Sequence, residues 1–316
     1  MTASMDATAG SIPAPLPDHL FVFAHGKESG PWGLKIRQLA EVAKGCGFQV
    51  LSPDYRHTMD PDQRVRELLA LAPKARRTLV LAGSSMGGYV SAMAVGELRP
   101  DALFLIAPAL YFPGWDAEPP TPPRLTTIVH GWGDDIVPPD RAIRYARSHA
   151  LRLTLLDSGH SMNERVPEMA VELRALLEDA KRHAAYRMAR YTVDFEPTPL
   201  DLAIGHADAD ADARLHREAG VTSHWALVTA CNPRGEAGDA AANAKRIAKL
   251  RQRVDAAGVR RLPGAGHDPE RIWPSEASEL LVDPPPGLAE ALGREFAQKA
   301  IVSGRLGQAP SLVWLG

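Results

Sequence analysis

The pattern of apolar and polar positions divides the chain into two regions. From residue 20 to about residue 183, short apolar runs such as LVLA and ALFLI alternate with amphipathic segments. Apolar runs of this length are typical of strands that are buried on both faces of a sheet. Their strict alternation with helices predicts a parallel, doubly wound sheet with right-handed crossovers.

Six strands and five helices are predicted in this first region. The strands are Leu20–Ala24, Gln49–Ser52, Thr78–Ala82, Ala102–Ile106, Thr126–His130 and Arg152–Leu156. The helices are Gly33–Lys44, Pro61–Leu71, Gly88–Leu98, Pro139–Ser148 and Val166–His183. The segment Tyr111–Arg124 contains five prolines and is predicted to be a loop that forms a lid or the rim of a pocket.

The C-terminal region lacks this alternation and is predicted to be a separate α+β domain. Its predicted strands are Ala189–Asp194, Trp225–Ala230, Glu279–Val282 and Ser311–Trp314, and its predicted helices are Ala240–Ala257 and Gly287–Gln298. The acidic stretch His206–Asp212 is predicted to be a solvated turn. The organisation is therefore a disordered lead-in over residues 1–18, a domain over 19–184 and an accessory α+β domain over 185–316.

Composition and charge change this picture only by what they exclude. The net charge is −2, which gives no basic footprint for nucleic acid. No run approaches the about 18 apolar residues of a membrane span, and the N-terminus lacks the pattern of a secretory signal. Cys46 and Cys231 lie far apart without metal-ligand spacing, which favours free thiols in a reducing cytoplasm, although pairing stays open. The oligomeric state is not predicted.

The candidate nucleophile is Ser85, the central residue of the G-x-S-x-G motif at 83–87. Its flanking glycines let a strand turn sharply into a helix, which lifts the serine hydroxyl above the sheet. A predicted strand precedes the motif and a predicted helix follows it, as this chemistry requires. Ser84 and Ser91 are interpreted as structural.

Three further segments complete the candidate site. His25-Gly26 follows the first strand, where backbone N–H groups of Lys27 and Met86 would form an oxyanion hole; a simple strand-to-helix turn is the alternative. The candidate acid is Asp134, which the D-x-x-V-P wording favours over Asp135, with Asp116 a distant third. The candidate base is His160, on a loop at a strand end, whereas His149 and His183 lie on predicted helices.

On these motifs, residues 20–183 resemble the α/β-hydrolase fold in a minimal, capless form. HGKESGP, GSSMGGYVSA, GDDIVPPDRAIRYA and DSGHSM are similar to the small bacterial esterases of the YqiA type. The resemblance implies hydrolysis of a carboxylic ester or thioester without a cofactor. We expect a small-molecule substrate and no metal, nucleic acid or membrane partner. Loop aromatics near the same sheet edge could line an acyl pocket or anchor loops: Trp32, Tyr111, Phe112, Trp115 and Trp132.

The C-terminal region resembles a bacterial domain family of unknown function, which adds a boundary but no chemistry. Cys231 is interpreted as a buried strand thiol rather than a nucleophile assisted by His224 or His267. Seven residues could form a polar pocket for a small anionic or nucleotide-like ligand, or a structural or dimerising surface: Asn232, Arg234, Asn243, Trp273, Ser275, Glu276 and Gln298. For the whole chain, two alternatives to a hydrolase stay open, a catalytically silent binding protein and an acyltransferase.

Overall fold

The computed structural model describes residues 15–115, 117–268 and 274–315. The chain divides into two compact units between Ala184 and Ala185. Residues 1–14, to which most of the predicted lead-in belongs, lie outside the described residues, as do Asp116 and Trp273.

The first unit contains six parallel strands in the order β2-β1-β3-β4-β5-β6. They are β1 His19–Ala24, β2 Gln49–Leu51, β3 Thr78–Ser84, β4 Ala102–Ile106, β5 Leu125–Gly131 and β6 Arg152–Leu156. The helices are α1 Leu34–Gly45, α2 Pro61–Leu71, α3 Met86–Met93, α4 Val95–Leu98, α5 Pro139–His149 and α6 Val166–Met188. The predicted helix Gly88–Leu98 is thus two helices joined at Ala94. The proline-rich loop is confirmed over its described residues.

Alternate residues of each central strand pack on opposite faces of this sheet, which is why the strands are apolar throughout. Phe21, Phe23 and Phe104 pack against α1 and α6. Val22 and Leu81 pack on the other face, against α2, α3 and α5. Each such buried side chain contributes about 1.5–3 kcal/mol. Because all six strands are parallel, their carboxyl ends meet at one edge, and that edge carries the candidate site.

The second unit is built on a seven-stranded sheet in the order β13-β12-β9-β11-β10-β7-β8, with every pair antiparallel. The strands are β7 Arg190–Val193, β8 Leu200–Leu202, β9 His224–Thr229, β10 Arg261–His267, β11 Glu276–Val282, β12 Ala300–Arg305 and β13 Ser311–Trp314. The helices are α7 Ala209–Arg214, extended by a π-helical turn at Leu215–Ala219, α8 Ala240–Ala256 and α9 Leu288–Glu295. Helices α8 and α9 pack on one face, and α7 packs on the other.

The structure corrects the prediction for the acidic stretch 206–212, because helix α7 begins within it. Asp208 is the N-cap, and its carboxylate accepts hydrogen bonds from the backbone N–H groups of Asp210 and Ala211. Acidic residues in a first turn also interact favourably with the helix dipole. The aspartates of this stretch therefore start a helix rather than form a turn.

Candidate active site

Ser85 lies at the turn from β3 into α3, in a conformation that few L-residues adopt. Its φ is 56° and its ψ is −121°, and such backbone strain costs on the order of 1–3 kcal/mol. Gly87 makes the turn possible, since a Cβ atom there would stand 2.0 Å from the carbonyl oxygen of Ala24. Ser84 and Ser91 are buried, and Ser91 Oγ donates to the carbonyl of Ala82.

His160 follows β6 and connects Ser85 to Asp134. Its Nε2 is 2.9 Å from Ser85 Oγ, and its Nδ1 is 2.7 Å from Asp134 Oδ2. Because the carboxylate is an acceptor, Nδ1 carries the proton and Nε2 is left to accept the serine proton. The His160 side chain is 17% exposed, so a substrate can approach it while most of the ring is shielded.

Asp134, rather than Asp135, contacts this histidine. The Asp134 side chain is fully buried, and its Oδ1 accepts hydrogen bonds from the backbone N–H groups of Ile136 and Val137. These bonds fix the carboxylate so that Oδ2 points to the imidazole. Asp135 is exposed, and Asp116 lies outside the described residues.

A second histidine, His130 at the end of β5, also reaches Asp134. Its Nε2 lies 3.1 Å from Asp134 Oδ2 and 2.8 Å from the carbonyl of Val137. Burial lowers the pKa of His130, so the neutral ring donates from Nε2 to these two oxygens. The sequence analysis did not single out this residue. Its position at the start of the HGWGDD segment, four residues before Asp134, could have indicated it.

The candidate oxyanion hole consists of the backbone N–H groups of Lys27, in the loop after β1, and of Met86, the residue after Ser85. The ideal Cβ position of Gly26 is 3.7 Å from Ser85 Cβ, which brings the loop after β1 beside the candidate nucleophile. Neither the Lys27 nor the Met86 N–H donates a hydrogen bond to any described residue. Two unpaired donors next to the serine can stabilise a developing oxyanion.

Arg64 of α2 hydrogen-bonds to the loop that carries Lys27. The sequence analysis did not single out this residue. The Arg64 side chain is completely buried, and its guanidinium donates to the carbonyls of Gly26, Lys27 and Thr58 at 2.8–3.2 Å. With the carbonyls fixed in this direction, the peptide planes of the loop are fixed too. Arg64 is therefore a positioning residue for the candidate oxyanion hole.

Lys35 holds the loop that carries His160 in a similar way. Its Nζ donates a 2.6 Å hydrogen bond to the carbonyl of Ser161. Burial lowers the pKa of Lys35 to about 8, an effect that the charges of Glu164 and Asp134 partly offset. No local pattern in the sequence indicates this contact, which joins residues 126 positions apart.

The loop aromatics divide into two groups. Trp32 and Trp132 are 46% and 59% exposed, so they are available to a substrate. Tyr111 and Trp115 pack against the core, and Trp115 lies 5.1 Å from the ring of Tyr89. The second pair therefore anchors the proline-rich loop.

Cys231, in the second unit, is buried as predicted, but it follows the end of β9 and is not a strand residue; burial raises the pKa of its thiol. His224 and His267 bond to other partners among the described residues, so the nucleophile interpretation gains no support. Cys46 is likewise free and buried. The cytoplasmic location stays a prediction. Among the described helices, none has the length and hydrophobicity needed to cross a membrane.

Comparison with solved structures gives several similar proteins for the first unit. A protein from Xanthomonas campestris pv. campestris, assigned to the α/β hydrolase superfamily, is 31% identical; the match covers 51% of this chain and 99% of that one, with a TM-score of 0.48. Est1E from Butyrivibrio proteoclasticus is 18% identical over 53% of this chain and 90% of its own, with a TM-score of 0.47. A serine hydrolase without lid from Xanthomonas campestris is 22% identical; the match covers 54% of this chain and 84% of that one, with a TM-score of 0.39.

The second unit matches the model of a family described as a protein of unknown function, DUF3293, over residues 228–301. No curated protein gives a significant match to the chain.

The parallel sheet order and the strained serine turn are those of the α/β-hydrolase fold, so the first unit has this fold. The predicted form of the fold is confirmed, a capless hydrolase with six parallel strands followed by a smaller α+β unit.

Proposed function

We propose that the chain is a serine hydrolase that cleaves a carboxylic ester or thioester through an acyl-enzyme, with Ser85 as nucleophile. One observation carries the proposal, the continuous chain of hydrogen bonds from Asp134 through His160 to Ser85 Oγ. A serine hydroxyl alone is a weak nucleophile, and a histidine held in one tautomer by a buried carboxylate activates it.

In the first half-reaction, His160 Nε2 takes the proton of Ser85 as Oγ attacks the acyl carbonyl carbon. The carbonyl oxygen becomes an oxyanion that accepts from the N–H groups of Lys27 and Met86, while Asp134 stabilises the imidazolium. The C–O or C–S bond to the leaving group then breaks, and His160 returns the proton to that group. In the second half, His160 takes a proton from water, the hydroxide oxygen attacks the acyl carbon, and Ser85 regains its proton as the acid departs.

Within the superfamily we infer a small bacterial esterase of the YqiA type, on the wording of the four motifs that carry the site. Lys27 and Glu28 follow His25-Gly26 and are exposed, which favours a polar pocket. Trp32 and Trp132 supply the exposed apolar surface for the acyl group.

A fluorophosphonate probe tests the nucleophile directly. We expect wild type and Ser84→Ala to be labelled at one site per chain and Ser85→Ala not to be labelled. Ser84 is the matched control because it is the neighbouring serine. Folded wild type that fails to label would favour a catalytically silent binding protein, and undiminished labelling of Ser85→Ala would move the nucleophile elsewhere.

The substrate class follows from turnover of p-nitrophenyl esters and acyl thioesters of increasing chain length. We expect steady hydrolysis of one series at a rate that Ser85→Ala abolishes. A burst of one equivalent without further turnover, relieved by adding an alcohol or amine acceptor, would identify an acyltransferase instead.

A further inference from the structure

One face of the sheet in the second unit changes from apolar to polar towards one end. Leu227, Leu280 and Val302 lie side by side in register and pack in the cluster that includes α7. Two positions further towards the same end, the residues on this face are Thr229, Ser278 and Ala300. Residues on a buried sheet face are ordinarily apolar, so the paired Thr229 and Ser278 mark a place where polar groups are used.

A cavity of about 70 Å³ lies at this polar end. Its polar lining comes from the side chains of Tyr191, Thr229, His267, Glu276, Ser278 and Gln298. The space holds about five water molecules, which is the size of a guanidinium or amidinium group with one attached carbon. No group of three or more His, Cys, Asp or Glu among the described residues could hold a metal ion, so we consider an organic ligand.

Glu276 lines this cavity, and only one of its two carboxylate oxygens has a hydrogen-bond partner among the described residues. Its Oε1 accepts a 2.6 Å hydrogen bond from Asn232 Nδ2, while Oε2 accepts none from the described residues. Asn232 is itself fixed by a reciprocal pair of hydrogen bonds with Asn243, of 2.9 and 3.0 Å. Burial raises the pKa of Glu276, and the bond from Asn232 only partly offsets this. The carboxylate is therefore rigidly held and poorly compensated.

Four other polar side chains that line the cavity already form hydrogen bonds with neighbouring groups of the protein. Gln298 Nε2 donates to the carbonyls of Cys231 and Phe296, which leaves its Oε1 as the unused atom. Tyr191 donates to the carbonyl of Tyr186, and Thr229 donates to the carbonyl of Ala277. Both His267 nitrogens are bonded, to Thr192 and Ser275. Lys299 also lines the cavity and has an interaction of its own.

We propose that this cavity binds a compact organic cation, an amidinium or guanidinium group that donates to Glu276 Oε2 and Gln298 Oε1. Two acceptors, one of them a carboxylate, match a planar cation with several N–H groups and repel an anion. The proposal therefore differs from the anionic or nucleotide-like ligand that the sequence suggested for this region. The proposal is independent of the chemistry at Ser85.

Methylguanidinium is the probe, and methylurea is its neutral isostere. Saturation-transfer NMR on the full chain at neutral pH measures both. We expect methylguanidinium to bind with a millimolar dissociation constant. The dissociation constant of methylurea should be at least about tenfold higher. Glu276→Gln keeps the acceptor for Asn232 but removes the charge, so affinity for methylguanidinium should fall about tenfold or more.

Two further variants separate loss of the site from loss of the fold. Glu290→Gln removes a carboxylate from α9 outside the cavity lining and should bind methylguanidinium as wild type does. Ala300→Leu keeps Glu276 but fills the cavity, so it should also abolish binding while the thermal unfolding midpoint shows a folded chain. Absence of binding by wild type at ten times the expected dissociation constant would overturn the proposal. Equal binding of methylurea, or unchanged binding in Glu276→Gln, would overturn it as well.

Discussion

The two units gather their polar side chains by different means. In the first, parallel strands bring the carboxyl ends of β1, β3, β5 and β6 to one edge, so the loops that follow them meet whatever their separation in sequence. In the second, neighbouring strands run in opposite directions, and side chains meet only through register, as Thr229 and Ser278 do. A site on a parallel sheet can therefore be traced from chain order, whereas a site on an antiparallel sheet requires the pairing to be known.

The largest expected effect comes from substitution of Asp134, and it tests the candidate site of the first unit. Asp134→Asn leaves His160 without its buried anion and favours the wrong tautomer, so kcat/KM for an active ester should fall about a thousandfold to ten-thousandfold. Asp135→Asn is the matched control because that side chain is exposed, and it should stay within about twofold of wild type. A comparable loss in Asp135→Asn would show that the loop after β5 does not place its acid as the geometry indicates.

The sequence predicted the first unit nearly to its strand ends because every local signal agreed. Apolar runs, amphipathic segments and the glycines around Ser85 all indicated the same βα order. In the second unit, β10 reads RLPGAGH and β12 contains Gly304. Proline and glycine weaken a strand pattern, so these two strands were missed although tertiary pairing stabilises them. Strand β8, with three residues, is too short to show a period.

What supports the site was less predictable than the residues at its centre. Ser85, Asp134 and His160 follow strands in an order that the fold explains. Arg64 lies on the polar face of an ordinary helix pattern, and only the structure shows that its guanidinium is buried against loop carbonyls. Contacts made by long side chains across the fold leave no local pattern in the sequence.

The next largest effect is expected from substitution of Arg64. This residue also marks a difference between the units, because the first unit buries a cation against the loop that carries Lys27, whereas the second buries the carboxylate of Glu276 at its cavity. Arg64→Met leaves the carbonyls of Gly26 and Lys27 without donors and frees the peptide planes of the candidate oxyanion hole. We expect kcat to fall about a hundredfold with KM little changed. Affinity for a trifluoromethyl ketone analogue of the tetrahedral intermediate should fall in parallel with kcat.

Arg66→Met, on the same helix with a side chain 67% exposed, should leave both quantities near wild type. Arg64→Lys keeps the charge but reaches fewer carbonyls, so partial recovery of kcat is expected. A loss of thermal stability in Arg64→Met with unchanged kcat would reduce Arg64 to a purely structural residue.

The smallest effect concerns Lys35 and appears in stability rather than rate. Its pKa in the folded chain is lowered to about 8, from an ordinary value of 10.5. Between these values the unfolded chain holds the proton that the folded chain has lost, so the free energy of unfolding of wild type should rise with pH relative to Lys35→Met. The rise is at most about 1.4 kcal/mol for each unit of that pKa difference.

Urea unfolding of wild type and Lys35→Met from pH 7.5 to 10.5 measures this rise, and other titrating groups cancel in the comparison. Lys44→Met removes an exposed lysine from the same helix and is the matched control for the substitution itself. A difference between Lys35→Met and wild type that does not change with pH would mean that the ammonium beside Ser161 is solvated, and that α1 does not hold the His160 loop through a buried charge.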